Sequence, residues 1–165
     1  MCDATAASGA GWNRVPGFAP RPRAFAPAWD SEEGAFRFGG RWNSPGRPMI
    51  YAAATASLAV LEVLVHLDLP PELVPDDYRL LALNVPDDLA VETLDHAPER
   101  EDDCRLIGDR FLDQADALGL RVPSVIVPHE HNILLNPRFA GADRVGIQSN
   151  DPFRFDPRLL DIARR

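Results

Sequence analysis

Between Leu58 and Val65 every residue is apolar except Glu62. Read as a helix, the segment puts Glu62 on one face with Leu58, Ala59 and Val65, where His66 is the one polar neighbour. A carboxylate on such a face is costly unless something pairs with it. The fold must therefore bring Glu62 a partner, set it at a solvent edge, or make its helix face the wall of a ligand cleft.

The flanking sequence fits a strand–helix unit. "PMIYAA" reads as a short strand and "TASLAVLEVLVHL" as the helix, with Thr55 or Ser57 as N-cap. Residues 1–13 are small and polar and read as a frayed end. Residues 14–48, rich in Pro, Arg, Gly and aromatics, read as mostly turn and irregular backbone, with "GGRWNSPG" as a tightly shaped loop. "RLLALNVP" and "LAVETL" read as strands between Pro and Asp breaks. "EREDDCRLIGDRFLDQADALGL" is the clearest helix, with a stripe of Cys104, Ile107, Phe111, Ala115 and Leu118, acids in its first turn and Gly119 as its stop. "RVPSVIVP" reads as a buried strand, "NILLNP" as another short apolar piece, and "RVGIQ" and "FRF" as late strands. There is no internal repeat and no linker. The expectation is a single α+β domain over residues 1–165, with several short strands and two main helices.

Composition narrows the function. A chain of 165 residues that is 45% hydrophobic and 25% charged is long enough for a proper core. The formal charge of −8 argues against a nucleic-acid surface, which needs clustered cations. All 17 basic residues are arginine, so Schiff-base and P-loop lysine chemistry is excluded, and any cationic site uses guanidinium forks suited to phosphate. Six arginines face four acids in residues 1–48, against 11 arginines and 21 acids in the rest. That locally basic opening fits an anion pocket and equally a solvated loop. Cys2 and Cys104 make no disulfide framework. The N-terminus lacks a basic n-region and an apolar h-region, and no apolar run reaches the ~18 residues of a membrane span. A reduced cytoplasm is the expected setting. "HEH" at 129–131 lacks the spacing of a zinc helix, so no metal site is expected, and no G-x-G-x-x-G dinucleotide fingerprint is present.

Five elements occur in order: "WNRVPG", "GGRWNSPG", "MIYAAATASLAVLEVLVHLDLP", "VPSVIVP", and "HNILLNPRF" with a closing "FRFDPRL". From about Arg14 to Leu160 the chain thus resembles the RES-domain family, named for its Arg, Glu and Ser residues. The resemblance implies a fold similar to ADP-ribosyltransferase toxins, and a toxin of a bacterial toxin–antitoxin pair acting on NAD+. Activities in such a family include NAD+ degradation, with water or phosphate as acceptor, and ADP-ribosylation of a metabolic enzyme. A non-enzymatic partner-binding domain is the rival from another class. The implied catalytic residues are Glu62, Tyr51, Arg41 and Ser124. The implied binding set is Arg14, Arg41, Asn43, Tyr51, Ser124 and Asn136, with Arg21 or Arg23 as alternatives to Arg14. NAD+ would be a consumed substrate rather than a cofactor, with phosphate as a co-substrate. The implied partner is an Xre-like helix-turn-helix antitoxin, and a homo-oligomer within that complex is compatible with the reading.

The residues fit that chemistry. Breaking the nicotinamide–ribose bond expels a neutral pyridine and leaves positive charge on the sugar, as in glycoside hydrolysis, and a fixed carboxylate stabilises that charge. Arg41, beside two glycines, can grip a pyrophosphate bidentately or stack on Trp42. Tyr51 can stack on a ring, bond a ribose, or end a core strand. Ser124 needs a hydrogen-bond partner among apolar neighbours, and no G-x-S-x-G elbow makes it a nucleophile. Asn132 and Asn136 read as turn or loop residues, though either can line the cleft.

Overall fold

A computed structural model describes residues 17–22, 33–67 and 70–162. Its strands are β1 (Gly17–Pro22), β2 (Ile50–Ala53), β3 (Tyr78–Asn84), β4 (Val91–Thr93), β5 (Gly119–Pro123), β6 (His131–Leu135) and β7 (Gly146–Pro152). They form one sheet in the order β4-β5-β6-β2-β1-β3-β7, antiparallel throughout except for the parallel β4–β5 pair. The helices are α1 (Glu33–Phe38), α2 (Ala56–Val65), α3 (Glu101–Gln114) and α4 (Pro157–Ile162). The chain is α+β with two main helices, α2 and α3. None of the described helices is long and apolar enough to cross a membrane.

Alternation along β2 divides the core. Ile50 and Ala52 join Leu83, Leu118, Ile133, Leu135 and Val145 on one face. Met49 and Tyr51 point to the other, where Trp42, Leu120, Val122 and Leu134 pack against Cys104 and Phe111 of α3. Ala53 continues this second face under Leu58 and Ala59 of α2. α2 starts where Thr55 caps it, its Oγ1 accepting from the Leu58 N–H at 3.1 Å. Only Leu58 and Ala59 of α2 are buried, so most of its apolar surface is partly open and Val65 is 55% exposed.

Four sequence expectations are corrected. The region 14–48 is not all irregular: it contributes β1 and α1. β1 was hidden by Pro20 and Pro22, which look like strand breakers. They are tolerated because β1 pairs fully with β3, whereas among the described residues it meets β2 only at Phe18 opposite Ala53. α3 stops at Ala115, which takes the left-handed conformation at φ 49° with its N–H on the Phe111 carbonyl; Leu118 and Gly119 already belong to the next segment, with Gly119 opening β5. "RVPSVIVP" is strand only to Pro123; Ser124 opens a turn and Val125 is 62% exposed. "FRF" is not a strand, because Phe153 and Phe155 instead pack edge-to-face in a row with Tyr78. The expectation for residues 1–13 lies outside the described residues.

Gly108 lets α3 sit directly on the Trp42 backbone: a Cβ there would overlap the Trp42 carbonyl. Gly108→Ala gains helix propensity, but a main-chain clash cannot be relieved by a rotamer change. It should lower stability by about 1–3 kcal/mol in urea unfolding. Gly34→Ala, on α1 with nothing within 4 Å of its Cβ, should be neutral or stabilising in the same assay.

Candidate active site

Glu62 lies one helical turn beyond Leu58 and Ala59, so the packing that buries those two aims it at the same side of the sheet. Its partners come from β6 and from the turn after β5. Oε1 accepts from Asn132 Nδ2 at 2.5 Å and from Ser124 Oγ at 3.3 Å. Among the described residues nothing bonds Oε2. Ser124 Oγ also accepts from the Ile126 and Val127 N–H groups, each at 3.1 Å. A hydroxyl has one proton and two lone pairs. All three are engaged, so Ser124 closes its turn and orients Glu62 and has no free lone pair for nucleophilic attack. Val125, next to Ser124 in the chain, and Val65, one turn after Glu62, are exposed apolar residues.

Tyr51 and the "GGRWN" loop lie on the same sheet face. Tyr51 stands opposite Leu134, and Ala53 opposite Asn132. The Tyr51 hydroxyl donates to Asn43 Oδ1 at 2.7 Å and accepts from the Trp42 N–H at 3.0 Å. Asn43 is fully buried, and its Nδ2 donates to the carbonyls of Ala35 at 2.8 Å and Arg47 at 2.9 Å. Both groups are therefore engaged in holding the loop, and Tyr51 has only its ring left to face a ligand. Ser44 completes the anchorage, donating its N–H and hydroxyl to Asp109 of α3 at 3.0 and 2.6 Å. The Arg41 side chain, 30% exposed, leaves this loop and approaches Glu101 only at 4.0 Å. Its Nε is buried, with no hydrogen-bond partner among the described residues.

Glu62, Ser124, Tyr51, Asn43 and the Arg41 loop thus gather on the face that carries α2 and α3. Asn136 makes no hydrogen bond to any of these side chains among the described residues. It is fully buried, donating to the Leu112 carbonyl at 3.2 Å and accepting from the Arg138 N–H at 3.0 Å. It also lines a cavity of about 340 Å³ with Ile50, Leu118, Leu135 and Val145, residues of the opposite core. Arg14 and Arg23 lie outside the described residues, and Arg21 is placed by its backbone in β1, opposite Arg79. His129 sits in the turn before β6, Glu130 accepts from Thr55 Oγ1 at 2.7 Å, and His131 faces Arg121. Asn132 is the residue that sequence reading left in a loop. The signal was its alternation with Leu134 and Asn136, which puts a polar side chain on the inward face of a strand.

Burial pushes the Tyr51 phenol up to about 12, against the opposing pull of the Trp42 N–H bond. The folded protein therefore holds this proton more tightly than the unfolded chain. The associated stability is complete below pH 10 and is lost as the pH rises from about 10 to about 12. Tyr51→Phe should remove that part of the alkaline loss; Tyr78, also raised by burial, titrates in both proteins. Near neutrality the same variant should be less stable by about 1–3 kcal/mol, since Trp42 N–H and Asn43 Oδ1 lose their partner. Urea unfolding of both proteins across this pH range checks both points.

A family model for the RES domain matches residues 12–156. Proteins called Toxin Res from Pseudomonas putida and Yersinia enterocolitica are 42% and 38% identical to the chain. Those matches cover 79% and 83% of this chain and 92% and 93% of the relatives. A protein called Prs ADP-ribosylating toxin, from Sphingobium sp., is 34% identical over 81% of this chain and 88% of its own length. Among solved structures, a chain of the M. tuberculosis MbcT–MbcA toxin–antitoxin complex matches with a TM-score of 0.65, covering 92% of this chain and 89% of that one. At 20% identity that likeness concerns the fold. Family model and relatives agree over nearly the whole sequence, and the chain belongs to the RES-domain family of toxins.

Proposed function

We propose that this toxin consumes NAD+, cleaving the bond between nicotinamide and ribose and passing the ADP-ribosyl group to water or phosphate. The observation that carries the reading is Glu62, a carboxylate held through Oε1 by Ser124 and Asn132, with no bond to Oε2 among the described residues. In the reaction the bonding pair leaves with the pyridine nitrogen and neutralises its charge, so no acid is needed for the leaving group. Positive charge grows on the sugar, and a carboxylate already fixed in place stabilises it without reorganising. Water gives up a proton on capture, and Oε2 is an acceptor for it. Arg41, whose one acidic neighbour among the described residues stands 4.0 Å away, is suited to the pyrophosphate. The exposed apolar side chains of Val65 and Val125 suit a neutral ring.

Transfer of ADP-ribose to a protein is the second reading, favoured by the name of the Sphingobium relative. An Xre-like antitoxin that covers the site is the proposed partner, in keeping with a fold shared with a chain of a toxin–antitoxin complex.

Glu62→Gln keeps an acceptor for Asn132 and Ser124 and removes only the charge. It should lower NAD+ turnover by roughly 100-fold or more while leaving the unfolding midpoint near wild type. Full activity in the folded variant would sink the mechanism. Arg41→Lys should raise KM for NAD+ and reduce turnover, because an ammonium cannot reproduce the fork. Labelled NAD+ given to purified protein with and without phosphate, and then to a lysate, separates the acceptors. Soluble ADP-ribose or its phosphate supports the first reading, a single labelled protein band supports transfer, and intact NAD+ supports a non-enzymatic binding domain.

A further inference from the structure

The amide of Asn132 has two ends, and the fold accounts for one. A carboxylate oxygen only accepts, so the end 2.5 Å from Glu62 Oε1 is the NH2 group. That orientation turns Oδ1 away from Glu62. Oδ1 is buried, and no group among the described residues donates to it. Its cross-strand neighbours are Ala53 on β2 and Val122 on β5, both buried and neither with a polar side chain. A buried acceptor without a donor is costly to keep, and a ligand hydroxyl at this face would satisfy it.

This inference rests on the reading that Glu62 faces the sugar of NAD+. One amide then serves the same sugar twice, directly through its oxygen and indirectly through Glu62. We propose that Asn132 touches the substrate, its Oδ1 accepting a hydrogen bond from the ribose hydroxyl next to the reacting carbon while its NH2 holds Glu62. As positive charge grows on the ring, that hydroxyl becomes a better donor, so the bond is stronger in the transition state than in the bound substrate. Asn132 is thereby a determinant of substrate choice as well as a support for the carboxylate.

The test compares kcat/KM for NAD+ with that for its analogue lacking this hydroxyl, on the wild-type protein and on Asn132→Ala. Each ratio is taken on one enzyme, so poorer positioning of Glu62 in the variant, and the analogue's own reactivity, cancel between the two. The preference for the hydroxyl should shrink by roughly 10- to 100-fold in Asn132→Ala, and Asn132→Ser should behave likewise. An unchanged ratio means that Asn132 only supports Glu62, and overturns the proposal. A ratio that changes instead for analogues altered at the nicotinamide carboxamide also overturns it, by naming a different donor. A reading that needs no variant comes from binding ADP-ribose and its deoxy counterpart to the wild-type protein. Weaker binding of the deoxy form is expected, and equal binding would refute the contact. A wild-type protein that leaves NAD+ intact and binds neither compound removes the functional reading and this inference together. One that consumes NAD+ with an unchanged ratio removes only the inference.

Discussion

The rest of the structure depends on the buried amide of Asn43. Its Nδ2 reaches back to the end of α1 and forward to Arg47, and its Oδ1 takes the Tyr51 proton from the central strand. One side chain thereby closes the loop on itself and fastens it to the sheet. Trp42, whose N–H completes the node at Tyr51, is at the same time the surface on which α3 rests at Gly108. Removing the node would loosen the loop, the strand and the helix together. Its polar atoms are all satisfied, which is the condition under which a buried network rigidifies a fold instead of weakening it.

Glu62 shows the same physics put to another use. Its carboxylate is anchored through one oxygen by two donors from a neighbouring strand and turn. At Asn43 satisfaction is complete. At Glu62, Asn132 and Arg41 it is partial: among the described residues both bonds to Glu62 go to Oε1, and Asn132 Oδ1 and Arg41 Nε have none. Such partial satisfaction on one face of an otherwise well-bonded sheet is in keeping with the ligand site proposed there.

Much of this was legible in the sequence where the determinants are local. β2 and α2 follow from an apolar run and a threonine cap, and Glu62 stood out because its neighbours could not pair with it. β1 was not legible, since two prolines read as breakers unless one knows which strands lie alongside. The end of α3 was misplaced because an alanine, not the nearby glycine, takes the left-handed position. The apolar letters of "VPSVIVP" spell a strand, yet a serine hydroxyl accepting two backbone N–H groups turns the chain there. Arg41, Tyr51, Glu62 and Ser124 could be singled out by motif. That Tyr51 and Asn43 bond each other, and that Asn132 holds Glu62, could not, because pairings across a loop or between strands are set by the tertiary fold.

The separate origins of the charges bear on how such a site works. Arg41 comes from a loop, Glu62 from a helix, Ser124 from a turn and Asn132 from a strand, so no local element can shift all of them at once. Each is fixed by a bond to a different part of the core: the loop to β2 and α3, the helix through Leu58 and Ala59, the turn through backbone N–H groups. A carboxylate held this way is oriented before any substrate arrives. In a reaction whose barrier is the growth of charge on a sugar, that prior orientation is where catalysis comes from, since dipoles already in place need no reorganisation when the charge appears. For the proposed reaction, the hydrophobic packing of α2 and the hydrogen bonds around Asn43 thus belong to the chemistry, although neither is itself a reacting group.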